Sequence, residues 1–227
     1  MAVLQGDDES LAPRARALAR LATTLTAQPW ALTGEAVQDA GRQGFDEEQI
    51  EAAVGVISMF NYFTRAADAT GIEFDYQTPL PAFEPNLRQV TAPRPDRSSR
   101  PAAPRRRPQF PPLQAAWASW RAYVLDADEP ISRRERRLLA SVAAEEAADW
   151  EGAEALNGGK SAEDGDDRLV GFARKLSRQP WSMEAADLES LRAAGYCDEA
   201  VLHVISVVAH QNADSRLAAG LAAASRT

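Results

Sequence analysis

One cysteine and two histidines are the whole supply, in a chain of 227 residues, of the side chains that most often act as redox centres, nucleophiles or transition-metal ligands. The lone Cys197 excludes an internal disulfide and a dithiol pair, and makes a reducing cytoplasm the expected location. No apolar run reaches the roughly 20 residues that cross a bilayer. The start, Met1-Ala2-Val3-Leu4-Gln5-Gly6-Asp7-Asp8, has none of the charged-then-apolar design of a signal peptide. Period-two alternation is missing over any useful length, so no strands are expected and the chain reads as all-α. Basic residues are in deficit: 25 Lys and Arg against 33 Asp and Glu give a net charge of −8, which repels phosphate backbones and disfavours a nucleic-acid partner.

What the chain does have is repetition. Residues 16–69 align without a gap to residues 167–220, every partner standing 151 positions on. Leu18 answers Leu169, Leu25 answers Leu176, and Gln28-Pro29-Trp30 answers Gln179-Pro180-Trp181; Gly44, Asn61 and Arg65 answer Gly195, Asn212 and Arg216. Each copy predicts helix, turn, helix, turn, long helix, the signature of an internal duplication. Leu18, Leu21, Ala22 and Leu25 draw one apolar stripe at helical spacing, as do Leu169, Phe172, Ala173 and Leu176. Pro29 and Pro180 end these first helices. Gly44 and Gly195 suit left-handed caps after the second, and Asp46 with Gln49 makes a capping box for the third helix of copy one. That long helix buries Ile50, Ala53, Val54 and Ile57, answered by Val201, Val204, Ile205 and Val208. Two exposed-looking apolar faces, each complementary to its twin, predict packing of the copies about an approximate two-fold axis. The matched Trp30 and Trp181 are expected to be structural anchors, Trp181 the more important.

Between the copies, residues 77–112 carry ten of the fourteen prolines and seven arginines, including Arg105-Arg106-Arg107, against only Glu84 and Asp96. Such a stretch is expected to be an extended linker lying against its own acidic body. The organisation that results is an N-terminal half-repeat (1–76), the linker (77–112) and a larger unit (113–227). In the last, two additional helices are expected ahead of copy two: one over Leu113–Leu125 with Trp117 and Trp120, and one over Ile131–Trp150 opened by a Ser132–Glu135 capping box.

These features resemble the AhpD-like, or carboxymuconolactone decarboxylase-like, superfamily and its peroxidase-related group. The resemblance rests on Arg134-Glu135-Arg136 opening a helix, Phe172-Ala173-Arg174-Lys175-Leu176 before a proline, Leu191-Arg192-Ala193-Ala194-Gly195-Tyr196, and the closing Asn-x-x-x-Arg helices at Asn61–Arg65 and Asn212–Arg216. It implies an AhpD-like helical fold. It also implies a redox site, Cys-x-x-Cys-x-x-x-His preceded by a glutamate, in which a low-pKa thiolate attacks peroxide and a second thiol resolves it. Those positions hold Arg137 for the glutamate, Asp149 and Gly152 for the cysteines and Leu156 for the histidine. Thiol peroxidase activity is therefore disfavoured. A non-catalytic protein with a structural or partner-binding role, oligomeric through its helical faces, is the favoured reading.

The alternative is a cysteine-independent enzyme of the decarboxylase-like branch acting on a small organic acid. His203, Val207, His210 and Asp214 share one face of the last helix, so Asp214 one turn from His210 would orient it as a general base; a face solvated or satisfied within the core is the plainer account. Cys197 at a helix start is a candidate peroxidatic thiol, weighed against an inert, partly buried small hydrophobe. Glu145, Glu146, Asp149, Glu151 and Glu154 have the oxygen chemistry of a cation site, but a charged, solvent-facing helix end is favoured. No metal, cofactor or membrane partner is expected, and the substrate is left open.

Overall fold

The computed structural model describes residues 8–72, 92–99, 105–157 and 167–225. Among these residues every regular element is helical: α1 (Pro13–Ala27), α2 (Gly34–Arg42), α3 (Glu47–Thr70), α4 (Pro111–Asp126), α5 (Arg133–Glu146), α6 (Trp150–Asn157), α7 (Asp167–Arg178), α8 (Ala185–Ala193) and α9 (Asp198–Ala224). Short 3-10 turns, Pro29–Ala31 and Pro180–Ser182, stand at the two Gln-Pro-Trp joints. The punctuation follows the residues. Gly44 and Gly195 take φ of 85° and 96°, a region closed to most side chains and free to glycine. Asp46 accepts from the Gln49 N–H at 2.8 Å and Ser132 from the Glu135 N–H at 3.2 Å, each with the return bond of a capping box.

The helix expected over Ile131–Trp150 stops short at Glu146, and a second begins at Trp150. Helix α5 closes at Ala147, where the Ala148 N–H bonds Glu145 O (3.0 Å) and the Asp149 N–H bonds Ala144 O (2.9 Å), with Ala148 at φ 56°. This is a Schellman turn carried by alanine rather than glycine, which is why no sequence signal marks it. Three helices, not two, therefore precede copy two, and α4 begins at Pro111, inside the stretch assigned to the linker. Proline is favourable there because the first helical N–H groups have no intrahelical partner.

The long helices α3 and α9 pack on each other at the centre. Arg65 on α3 donates to Ser177 O at the end of α7 (3.3 Å), and Arg216 on α9 donates to Thr26 O at the end of α1 (2.8 Å). Asn61 and Asn212 reach the same turns from the same helices, bonding Thr26 Oγ1 (3.0 Å) and Ser177 Oγ (2.8 Å). The equivalent positions thus exchange contacts reciprocally, the relation a two-fold axis between the segments would produce. Gly220 leaves room for Val54, since a Cβ there would overlap its methyl groups. Two apolar clusters result and they interlock. The first gathers Leu21, Leu25, Val37, Ile50 and Val54 with Leu217 and Leu221 from the end of α9; the second gathers Leu139, Val142, Leu169, Leu176, Val204 and Val208 with Ala69 from the end of α3.

Trp181 departs from expectation. It is 65% exposed, too open among the described residues to be the buried anchor expected. Trp30 is half-buried and donates Nε1–H to Ala92 O (3.2 Å), while Gln28 Oε1 accepts the Ala92 N–H (2.9 Å). Among the described residues only the first Gln-Pro-Trp joint has a segment laid across it, and that difference separates the two tryptophans.

Candidate functional site

Of the two positions that the family resemblance assigns to thiols, Asp149 lies in the turn between α5 and α6 and Gly152 in the first turn of α6, and the chemistry there is electrostatic. Asp149 caps α6, its Oδ1 accepting the Gly152 N–H at 3.0 Å. A Cβ at residue 152 would overlap this carboxylate, so Gly152 is what lets Asp149 turn inward. Asp149 Oδ2 also accepts the Ser215 hydroxyl from α9 (2.8 Å). Arg105, from the segment before α4, enters between Asp149 and Asp214: Nε lies 3.1 Å from Asp149 Oδ2, and Nη2 lies 3.0 Å from the same oxygen and 2.6 Å from Asp214 Oδ2. Trp117 on α4 donates Nε1–H to the remaining Asp214 oxygen at 2.8 Å. Both carboxylates are therefore engaged at both oxygens. Burial alone would raise the Asp214 carboxyl pKa, but Arg105 beside it and the Trp117 donor outweigh burial and hold it below the usual range. Burial would likewise depress the Arg105 guanidinium, and Asp214 and Asp149 instead hold it above its ordinary value.

A cavity of about 460 Å³ opens beside this bridge, between the Pro29-Trp30 joint, the α5–α6 turn and the last turns of α9; Trp30, Arg105, Asp149, Trp150 and Ser215 contribute to its wall. Trp150 Nε1 is buried without a hydrogen-bond partner.

Neither histidine hydrogen-bonds a carboxylate among the described residues. His210 is fully buried, neither ring nitrogen has a hydrogen-bond partner, and its ring meets Trp120 edge-on at 4.6 Å between centroids. Burial, with lesser contributions from Arg121 and Arg105 against that of Asp214, pushes its pKa down to about 4, so the ring is neutral near pH 7. The orienting bond expected from Asp214 to His210 is not made, because the Asp214 oxygens are taken by Arg105 and Trp117. His203 lies on the same face of α9, two turns earlier, where its ring meets Tyr123 of α4 at 6.3 Å between centroids. Its Nδ1 is 3.1 Å from Arg136 Nη2, and burial, then Arg136, lowers its pKa. An arginine can only donate, so Nδ1 is the acceptor and the ring is neutral in this contact.

Cys197 is exposed at the N-cap of α9 and makes no capping bond, which corrects the partly buried setting expected for it. The acidic helix end expected to face solvent is instead paired. Glu146, whose side chain is 6% exposed, bonds Arg94 Nη1 (2.9 Å) and Arg178; Glu154 bonds Arg97 (3.1 Å), and Glu151 accepts the Arg105 backbone N–H (2.9 Å). Arg94, Arg97 and Arg105 belong to the basic stretch between the copies, so its described parts do lie on the acidic body. Glu145 has its carboxyl pKa raised, chiefly by burial. No group of three metal-ligating side chains occurs among the described residues. Of the remaining family positions, Leu156 is buried and Arg137 is an exposed residue at a second cavity.

Sequence reasoning missed Arg105, Trp117 and Ser215. The only signal was the complementarity of a basic linker and acidic helices, which does not say which arginine enters. Comparison of the chain with family models, with curated proteins and with solved structures returned no match.

Proposed function

We propose that the chain is a non-catalytic, AhpD-like helical protein, built by internal duplication and degenerate at the redox positions, that works by binding, with the outer face of α3 as its contact surface for a second copy. The observation that carries this reading is the exposure of Val56 (56%), Met59 (36%), Phe60 (63%) and Phe63 (55%), which form one stripe on α3 at i, i+3, i+4 and i+7 spacing. No charged residue occurs from Ala52 to Thr64. A bare apolar patch of this kind, on the order of 300–600 Å², is the size at which a monomer's largest patch is often a contact site. It would supply the apolar centre of an interface that typically needs about 800 Å² from each partner.

A second copy suits the stripe for two reasons. An uncharged helical stripe is self-complementary, because it meets its own image across a two-fold axis without opposing charge. The chain also already pairs long helices in this reciprocal way, through α3 and α9. The lost redox chemistry supports the binding role: Asp149 and Gly152 stand where thiols would be needed, and Arg105 fills the turn.

Light scattering coupled to size exclusion tests the reading. The protein should run as a dimer and the Phe60→Glu/Phe63→Glu variant as a folded monomer of unchanged helicity. A monomeric wild type at high micromolar concentration would overturn it, as would dithiol-dependent peroxide consumption that survives Cys197→Ser.

A further inference from the structure

Two further cavities, of about 210 and 180 Å³, are walled by α4 and α6, with α5 completing the first and Arg105 and α9 the second. They share Arg107, Arg121, Ala155 and Leu156; Arg137 stands on the first and Gln211 on the second. In a chain of net charge −8, arginines are readily paired, and Arg94, Arg97, Arg105, Arg178 and Arg192 each bond a carboxylate. Arg107, Arg121 and Arg137 bond none among the described residues. Arg121 Nη1 is moreover buried with no acceptor in reach, an unusual state for a guanidinium nitrogen. Across the second cavity Gln211, 1% exposed, donates Nε2–H to Ser215 Oγ (3.1 Å) and leaves its Oε1 buried with no donor.

The carboxylates nearby do not answer this need. Asp214 is engaged by Arg105 and Trp117, and Glu151 by the Arg105 backbone N–H. Asp126, exposed at the rim of the first cavity, reaches none of the three guanidinium groups within ion-pair distance. Burial, together with repulsion from Arg105 and Arg107, outweighs Asp214 and Asp126 and depresses the Arg121 pKa, the electrostatic mark of a cation short of negative charge.

We propose that these joined cavities bind the phosphate monoester of a small hydroxylated molecule, the phosphate between Arg107, Arg121 and Arg137 and a hydroxyl donated to Gln211 Oε1. Three unpaired guanidinium groups match the charge and the three terminal acceptor oxygens of a phosphate monoester better than they match a lone carboxylate with two. One orphan acceptor beyond them asks for one donor on the carbon body. At liquid density each volume holds roughly six or seven waters, so a three-carbon phosphate can set its phosphate in the first and its hydroxyl in the second. The Ala155 and Leu156 side chains supply the apolar wall.

Isothermal titration calorimetry at fixed ionic strength tests this with glycerol 3-phosphate, inorganic phosphate and lactate as probes. Glycerol 3-phosphate should bind saturably and tighter than inorganic phosphate, with lactate weakest. Losing one charged hydrogen bond is worth about 1.5–3 kcal/mol, so Arg121→Gln should weaken glycerol 3-phosphate by about tenfold to a hundredfold. Arg20→Gln, on exposed α1 surface, should leave binding unchanged. Arg121→Gln removes an uncompensated buried cation and should fold, which circular dichroism checks; Arg107→Gln provides a second reading at an exposed position. Gln211→Leu should bring glycerol 3-phosphate and inorganic phosphate to equal affinity. Absence of saturable heat with glycerol 3-phosphate, equal binding by wild type and both arginine variants, or a preference for lactate would each overturn the proposal.

Discussion

The outer faces of α3 and α9 occupy equivalent places in the two segments and have opposite fates. Val56, Met59, Phe60 and Phe63 stand from 36% to 63% exposed, whereas Val207, His210, Gln211 and Asp214, each 151 residues on, are at most 6% exposed. The apolar face is bare and the polar face is covered. The reason lies in what packs outside each helix: α4 and α5 close over α9, and no described helix closes over α3 in the same way. Among the covered polar positions on α9, Asp214 takes its partners, Arg105 and Trp117, from the covering elements, whereas Gln211 bonds Ser215 one turn along its own helix. Composition of a helix face therefore does not report its exposure here. The favoured alternatives for the His210–Asp214 face, solvated or satisfied in the core, both miss His210, which is buried with its two nitrogens unpartnered.

The largest test of this contrast removes the cation that the covered face holds. Arg105→Met would leave Asp149 and Asp214, with side chains 11% and 8% exposed, without their shared partner. Breaking a buried pair in this way typically costs about 3–5 kcal/mol, to be read from urea denaturation at pH 7. A loss under about 1 kcal/mol would mean that water substitutes freely for Arg105, and the contrast between the faces would be weaker than the geometry implies.

A second test exchanges a residue between the faces. The His210 pKa, about 4 in the folded chain, lies below its value of about 6.5 in an unfolded chain. The unfolded state takes up the proton first, so this contribution to stability is complete above about pH 6.5 and is lost as the pH falls toward 4, on the order of 3 kcal/mol in all. His210→Met installs the α3 residue, Met59, at that position and should flatten this part of the stability profile. Parallel profiles for wild type and variant between pH 7 and 4.5 would show that the ring is not held neutral.

The smallest effects separate the matched tryptophans. Trp30→Ala should lose about 1–2 kcal/mol, through lost packing and the bond to Ala92 O, whereas Trp181→Ala should stay within about 0.5 kcal/mol of wild type in thermal unfolding. Equal losses would mean that the covering of the first joint by the 92–99 segment contributes nothing.

Much of the architecture was legible from residues alone because its determinants are local. Apolar spacing placed the helices, Pro29 and Pro180 ended the first of each copy, Gly44 and Gly195 supplied left-handed caps, and Asp46 and Ser132 capped by hydrogen bonds that span three residues. Where a boundary had no such residue the reading failed, as at Ala148, where alanine takes the conformation usually left to glycine. The site was less legible. Spacing put Asp214 one turn from His210, but a carboxylate bonds the nearest strong donors in space, and these came from Arg105 and Trp117, about a hundred positions earlier in the chain.

By itself, then, the sequence determined an all-helical chain and a basic stretch complementary to acidic helices, since each depends on periodicity or total charge. Tertiary structure alone decided which arginine enters the acidic turn, which tryptophan is covered, which helix face is left bare and which guanidinium groups remain unpaired. Those outcomes depend on distances of a few ångströms between elements far apart in sequence, where burial strengthens every contact made and penalises every polar group left without one.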